Sequence, residues 1–226
     1  MINTILKAKH WQVFLAIFVL PAIFYLVFFI SWINSISEIQ HHNMQTGDLT
    51  DIFGNFNYLG IAILLYTIPL FMYFYALGVG LQQYMPSGYS MKVKRFKWFW
   101  TVPLIFNCMA VILVFWFVSE LAQNPEGTKV FFQNFEQNPK AVNPVVIAFA
   151  AIVISLLQLF VVFCTFYIYY FIGKTIKAAE IQREPKSDRY IGYCVLIWFS
   201  FIGVWFLQPT VNKIQDGSLP PEIPEH

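Results

Sequence analysis

Five stretches of this chain run on without one Asp, Glu, Lys or Arg: Trp11 to Ile33, Tyr58 to Leu81, Trp98 to Val118, Pro144 to Ile172 and Tyr190 to Leu207. An α-helix needs about 20 mostly apolar residues to cross the hydrocarbon core of a bilayer, so each stretch is a candidate span. All 14 Lys and Arg and all 12 Asp and Glu fall in the loops and tails between them. Apolar residues make up 58% of the 226, and charged residues only 12%, against about 25% in a soluble domain. A water-soluble globule of this size has too little interior for so much apolar surface. The pattern excludes a soluble enzyme, a disordered chain and a nucleic-acid-binding domain. It predicts an all-α, polytopic integral membrane protein: one membrane domain, a bundle of five transmembrane helices, with residues 208–226 as a flexible tail.

The five candidates are not equally strong. The first contains fifteen Leu, Ile, Phe and Val residues, worth about −7 kcal/mol of insertion free energy on a translocon scale. The fifth contains ten, worth about −4 to −5 kcal/mol. The alternative architecture is therefore four spans plus a re-entrant or interfacial C-terminal segment. Lys7 and Lys9 precede the first segment as they would in a secretory signal, but its apolar run is too long for one and no A-x-A cleavage site follows. It reads as an uncleaved anchor.

Basic residues give an orientation, because short loops rich in Lys and Arg stay on the cytoplasmic side. Lys7 and Lys9, then Lys92, Lys94, Arg95 and Lys97, then Lys174, Lys177, Arg183, Lys186 and Arg189 all fall on one side of a five-span chain. Only Lys129, Lys140 and Lys213 fall on the other. The N-terminus is predicted inside and, if all five segments span, the C-terminus outside. Trp11, Trp98, Trp100 and Tyr190 at inner boundaries, and Trp32, Tyr58, Trp116 and Trp205 at outer ones, fit the aromatic belts of a bilayer interface.

With no charge inside the spans, a proton relay or a voltage sensor has nothing to work with. The polar content that remains gathers near mid-depth: Thr67, Asn107, Ser155 and Gln158, with Pro21 and Pro69 at similar depth. A mid-helix proline frees the carbonyl four residues earlier, here Ile17 and Leu65. The four polar side chains are a candidate midplane polar locus. Their plainer role is hydrogen-bonded glue between helices, typically ~0.6 kcal/mol per bond.

The inner loops hold the other candidates. Lys92, Lys94, Arg95 and Lys97, together with Lys174, Lys177 and Arg183, are candidate contacts for anionic lipid or a partner protein, at about 1 kcal/mol per charge near an anionic surface. Residues 173–184 contain good helix formers and should prolong the fourth span, with Pro185 as the stop and Ser187 as the next cap. In the third loop Gln123-Asn124-Pro125 recurs as Gln137-Asn138-Pro139, and the apolar residues Val130, Phe131, Phe132 and Phe135 between them suit a short interfacial helix.

Several motifs carry no chemistry. Gly173-Lys174-Thr175 has the ending of a phosphate-binding loop, but Ile168 stands where its first glycine belongs and no strand precedes it. Asp188-Arg189-Tyr190 opens the last helix and does not close a third of seven. His41 and His42 beside Asp48 and Asp51 are the nearest approach to a metal cluster, yet adjacent histidines point apart. Cys108, Cys164 and Cys194 lie in apolar segments and are predicted to be free thiols.

Two stretches, Lys7-Ala8-Lys9-His10-Trp11-Gln12 and Ile202 to Pro209 with Asn212-Lys213, resemble small multi-pass bacterial membrane proteins of an uncharacterised family. The resemblance implies the bacterial cytoplasmic (inner) membrane and no activity. The chain is expected to be a non-enzymatic accessory or scaffold subunit. Its partners would be membrane lipids, a membrane protein or its own copies, with no nucleic acid, cofactor or metal. The alternatives are a passive permease component for a small uncharged or weakly polar solute, and a lipid-acting interfacial enzyme.

Overall fold

A computed structural model describes residues 2–41, 46–124, 126–127, 130 and 144–218. Every regular element among them is helical: α1 (Ile2–Lys7), α2 (His10–Phe14), α3 (Leu20–His41), α4 (Thr46–Tyr75), α5 (Val93–Gln123), α6 (Pro144–Ile181), α7 (Ser187–Trp198) and α8 (Ser200–Asp216). Four helical stretches are long and apolar enough to cross a membrane: His10–Ser37, Gly54–Tyr84, Val93–Leu121 and Ala148–Ile181. They coincide with the first four predicted spans. The repeated tripeptide and the short helix expected between Val130 and Phe135 lie mostly outside the described residues, as do His42 and the Pro-rich end of the chain.

Two of the helical stretches contain a wider turn. A π-helical turn, Leu15–Val19, joins α2 to α3 just ahead of Pro21. The ring of Pro21 obstructs the carbonyl of Ile17, and a π-turn is one way a helix absorbs such an obstruction. A second, Ala76–Gly80, follows α4 and tightens into a 3-10 turn, Leu81–Tyr84. The indole Nε1 of Trp100 donates to the carbonyl of Phe71 at 2.8 Å in the preceding turn.

The chain divides into two compact units. One comprises Leu20–Leu65 and Phe106–Val161. There the Asn55 amide donates to Ser35 Oγ at 2.9 Å, Phe28 meets Phe56 edge-on, and the Phe115 ring lies over Gly60. The α6 stretch in this unit has every side chain from Ala148 to Phe160 exposed.

The other unit comprises Met1–Val19, Tyr66–Ile105 and Val162–His226, and holds the main core. Phe96 stacks on Phe171 at 4.5 Å, and Leu6, Ile17, Leu77, Ile172, Ile176 and Leu207 are fully buried around it. The segment expected as the fifth span lies in this unit. The helix over 190–207 is not one rod. It breaks at Phe199, whose φ of −88° and ψ of 52° end α7 and begin α8. The Phe199 N–H donates to the Val195 carbonyl, and its own carbonyl accepts from the N–H groups of Ile202 and Gly203. One residue therefore closes the first helix and opens the second. With 12 and 17 residues, these helices rise about 18 and 26 Å, each short of the ~30 Å hydrocarbon core.

Ring contacts give their directions. Tyr190 packs on Tyr170 and Trp198 on Phe166, so α7 runs antiparallel to α6. Phe201 packs on Phe14 and Phe18, and Trp205 on His10, so α8 runs back antiparallel to α2. The segment is a helical hairpin. Its close approach depends on two glycines. A Cβ on Gly203 would overlap the Leu196 carbonyl oxygen, and one on Gly173 would lie 2.7 Å from Cys194 Sγ.

Residues 208–216, expected to belong to a flexible tail, are instead part of α8, which continues to Asp216. Pro209 does not stop it, because proline disturbs the preceding turn and leaves the following residues free to wind. Gln208 is fully buried, and its Nε2 donates to the carbonyls of Leu6 at 2.7 Å and Ala8 at 2.8 Å. Those carbonyls stand where α1 ends and lack helical donors. The chain then restarts at α2, with Lys9 N–H donating to Gln12 Oε1. Ser187, expected as the cap of the helix after α6, is the first residue of α7, and Lys186 takes the cap position.

Replacing Gln208 with Leu orphans the Leu6 carbonyl, at about 1–3 kcal/mol, and leaves the Ala8 carbonyl only the Asn212 amide at 3.4 Å. A thermal melt in mild detergent should show Q208L clearly destabilised. Gly203→Val should be at least as damaging, since its clash is with backbone.

Candidate functional site

The end of the unit that carries the Leu81–Val93 connection and the close of α6 is held by side-chain amides and a hydroxyl. Gln182, the residue after α6, adopts φ 53°, a left-handed conformation unusual for a non-glycine residue. Its Nε2 donates to the carbonyls of Tyr84 at 2.9 Å and Ala179 at 2.7 Å, which offsets that cost. Gln82 Nε2 donates to the Gly78 carbonyl, and the buried Thr175 hydroxyl donates to Phe171 O and approaches Met91 Sδ. These bonds draw residues 89–92 against α6.

The result is a cavity of about 320 Å³ into which three cations converge: Lys92, Arg95 and Lys174. Tyr89, Tyr167 and Tyr170 supply its ring walls, and Glu184 its carboxylate. Lys174 Nζ is 3.0 Å from Glu184 Oε1 and lies over the Tyr89 ring at 5.6 Å. Lys92 and Arg95 sit three residues apart at the start of α5, on one helical face. The positive end of the α5 dipole adds to their field. Three cations against one carboxylate leave a net positive cavity with aromatic walls, suited to an oxyanion. Glu184 is engaged by Lys174, so the cavity offers charge and shape. Among the described residues no three His, Cys, Asp or Glu side chains group to hold a metal ion.

The seven predicted inner contacts thus separate. Lys92, Arg95 and Lys174 meet. Lys97 lies over the Tyr75 ring at 5.9 Å, and Lys177 pairs with Glu180 at 3.1 Å, whose carboxylate also accepts from Tyr193. Lys94 and Arg183 are exposed and do not line the cavity. The sequence reading missed the tyrosines, although Tyr167, Tyr170 and Lys174 follow the i, i+3, i+7 stripe of one helix face.

Of the midplane candidates, Thr67 is buried in the unit with the cavity. Asn107, Ser155 and Gln158 belong to the other unit, where Asn107 is half-buried and Ser155 and Gln158 are exposed. None of the four lines the basic cavity.

An exposed polar side chain contributes little to packing, so Ser155→Ala and Gln158→Leu should each shift stability by no more than about 0.5 kcal/mol. Thermal melts of the two variants check this.

No protein-family model matches the chain, and neither a curated protein nor a solved structure is similar to it.

Proposed function

We propose that this chain is a non-enzymatic, multi-pass protein of the bacterial cytoplasmic membrane, with four spans and a re-entrant C-terminal hairpin, that binds the phosphate of anionic lipids at its inner face. In that role it is an accessory or scaffold element. The observation that carries the reading is the convergence of Lys92, Arg95 and Lys174 on one aromatic-walled cavity. Three such charges near an anionic surface contribute about 3 kcal/mol, less the offset from Glu184.

The hairpin supports the orientation. With four spans and a returning α8, Lys213 joins the eleven basic residues already assigned to the inner side, and Lys129 and Lys140 alone remain outside. The charge asymmetry becomes steeper than a five-span reading allows. The exposed tip, formed by Trp198, Phe199, Phe201 and Ile202, suits hydrocarbon better than water.

A second reading, docking of a partner membrane helix or another copy of this chain, is favoured by a separate observation. Every side chain of α6 from Ala148 to Phe160 is exposed, including Phe149, Leu156 and Leu159. A helix in a bundle normally buries one stripe.

Two measurements test the proposal. Reporter fusions at Lys94 and Ser218 should report the same compartment, whereas five spans would separate them. In nanodiscs of mixed lipid, the protein should retain anionic over zwitterionic lipid, and the double variant K92Q/R95Q should lose about tenfold of that preference. Equal retention of both lipid classes by the wild-type protein would refute the lipid role.

A further inference from the structure

The basic cavity does not end at its tyrosines. Tyr170 is shared with a second cavity of about 230 Å³, between α6 and α7, lined by Phe166, Tyr169, Ile191, Cys194, Val195 and Trp198. Lys174, Tyr170 and Phe166 are spaced four residues apart on α6, so charge, amphipathic ring and apolar ring succeed one another down one stripe about 12 Å long. Among the described residues no charged side chain lines the second cavity. Its floor is formed where Gly173 lets α7 approach α6 at Cys194, and its far end is closed by Trp198 packed on Phe166. Ile191, Val195 and Trp198 remain largely exposed.

From this continuity we infer that the ligand is an intact anionic phospholipid, held with its phosphate among Lys92, Arg95 and Lys174 and one acyl chain lying past Tyr170 in the groove between α6 and α7. The inference rests on the lipid reading given above and deepens it. A free phosphate or a soluble phosphate ester would use the cations and leave the groove empty. A phospholipid uses both, with charge complementarity at one end and apolar surface at the other. Lipid tails are as apolar as the side chains they meet in a bilayer, so the groove adds little to bulk affinity. Its effect is to fix where the chain lies, and the test reads position.

The experiment places the full-length protein in nanodiscs containing phosphatidylglycerol with a photoactivatable diazirine on one acyl chain, and maps the adducts by mass spectrometry. Adducts should concentrate on residues 187–198 and on the facing turn of α6. Val195→Trp fills the groove from an exposed position and should lower labelling of α7 about tenfold, with the retained count of anionic lipids unchanged. Ile112→Trp, at an exposed position of α5 that lines neither cavity, should keep the labelling, and the melting temperature of each variant controls for folding. Labelling spread evenly over all spans, or unchanged in V195W, would overturn the groove while K92Q/R95Q-sensitive lipid retention left the parent reading standing. Displacement of the labelled lipid by millimolar inorganic phosphate would identify a free anion as the ligand and also overturn it. If labelling is the same with phosphatidylcholine and insensitive to K92Q/R95Q, the parent reading fails as well.

Discussion

A single buried amide organises the unit that carries the candidate site. Gln208 is buried in an apolar helix, where burying an amide is costly, and its Oε1 has no hydrogen-bond partner, so its place rests on its Nε2. Its Nε2 has partners because α1 breaks off after Lys7 and leaves carbonyls at Leu6 and Ala8. The break needs the glutamine, and the glutamine needs the break. This reciprocity holds α8 against the N-terminal segment, and α8 in turn requires the sharp reversal at Phe199. Once the hairpin is closed, α7 lies along α6 and forms one wall of the groove below Tyr170.

The four long helices were legible because apolar runs without charge are a strong, local signal. The prolongation of α6 beyond its apolar run was legible too, since the good helix formers after Gly173, Lys174 and Lys177 among them, carry it to Ile181. The break at Phe199 was not legible in the same way. Neither proline nor glycine occupies it, and its neighbours Trp198, Phe201 and Ile202 are as apolar as any span. Its cause is nonlocal: Gly203 permits contact with the Leu196 backbone, and α8 finds its partner at the opposite end of the sequence. Only the weak apolar content of 190–207 hinted at an interrupted segment.

The candidate site shows the same division. Positive charge in the loops is visible in the sequence, but not which charges meet. Lys94 and Lys97 are as basic as Lys92 and Arg95, and helical phase alone turns them elsewhere. Lys177 resembles Lys174 yet is paired with Glu180. The midplane residues illustrate the reverse. Similar depth along separate spans says nothing about which way a side chain faces, and Ser155 and Gln158 lie on a stretch of α6 exposed all round.

The Gln208 bonds join residues 202 and 200 positions apart in sequence. Contacts of such separation close late, after the intervening chain has been synthesised. The N-terminal segment leaves the ribosome early but cannot be locked until α8 arrives. During that interval the carbonyls of Leu6 and Ala8 must be served by other donors, so the segment ahead of α2 stays unlocked until the ribosome has delivered α8.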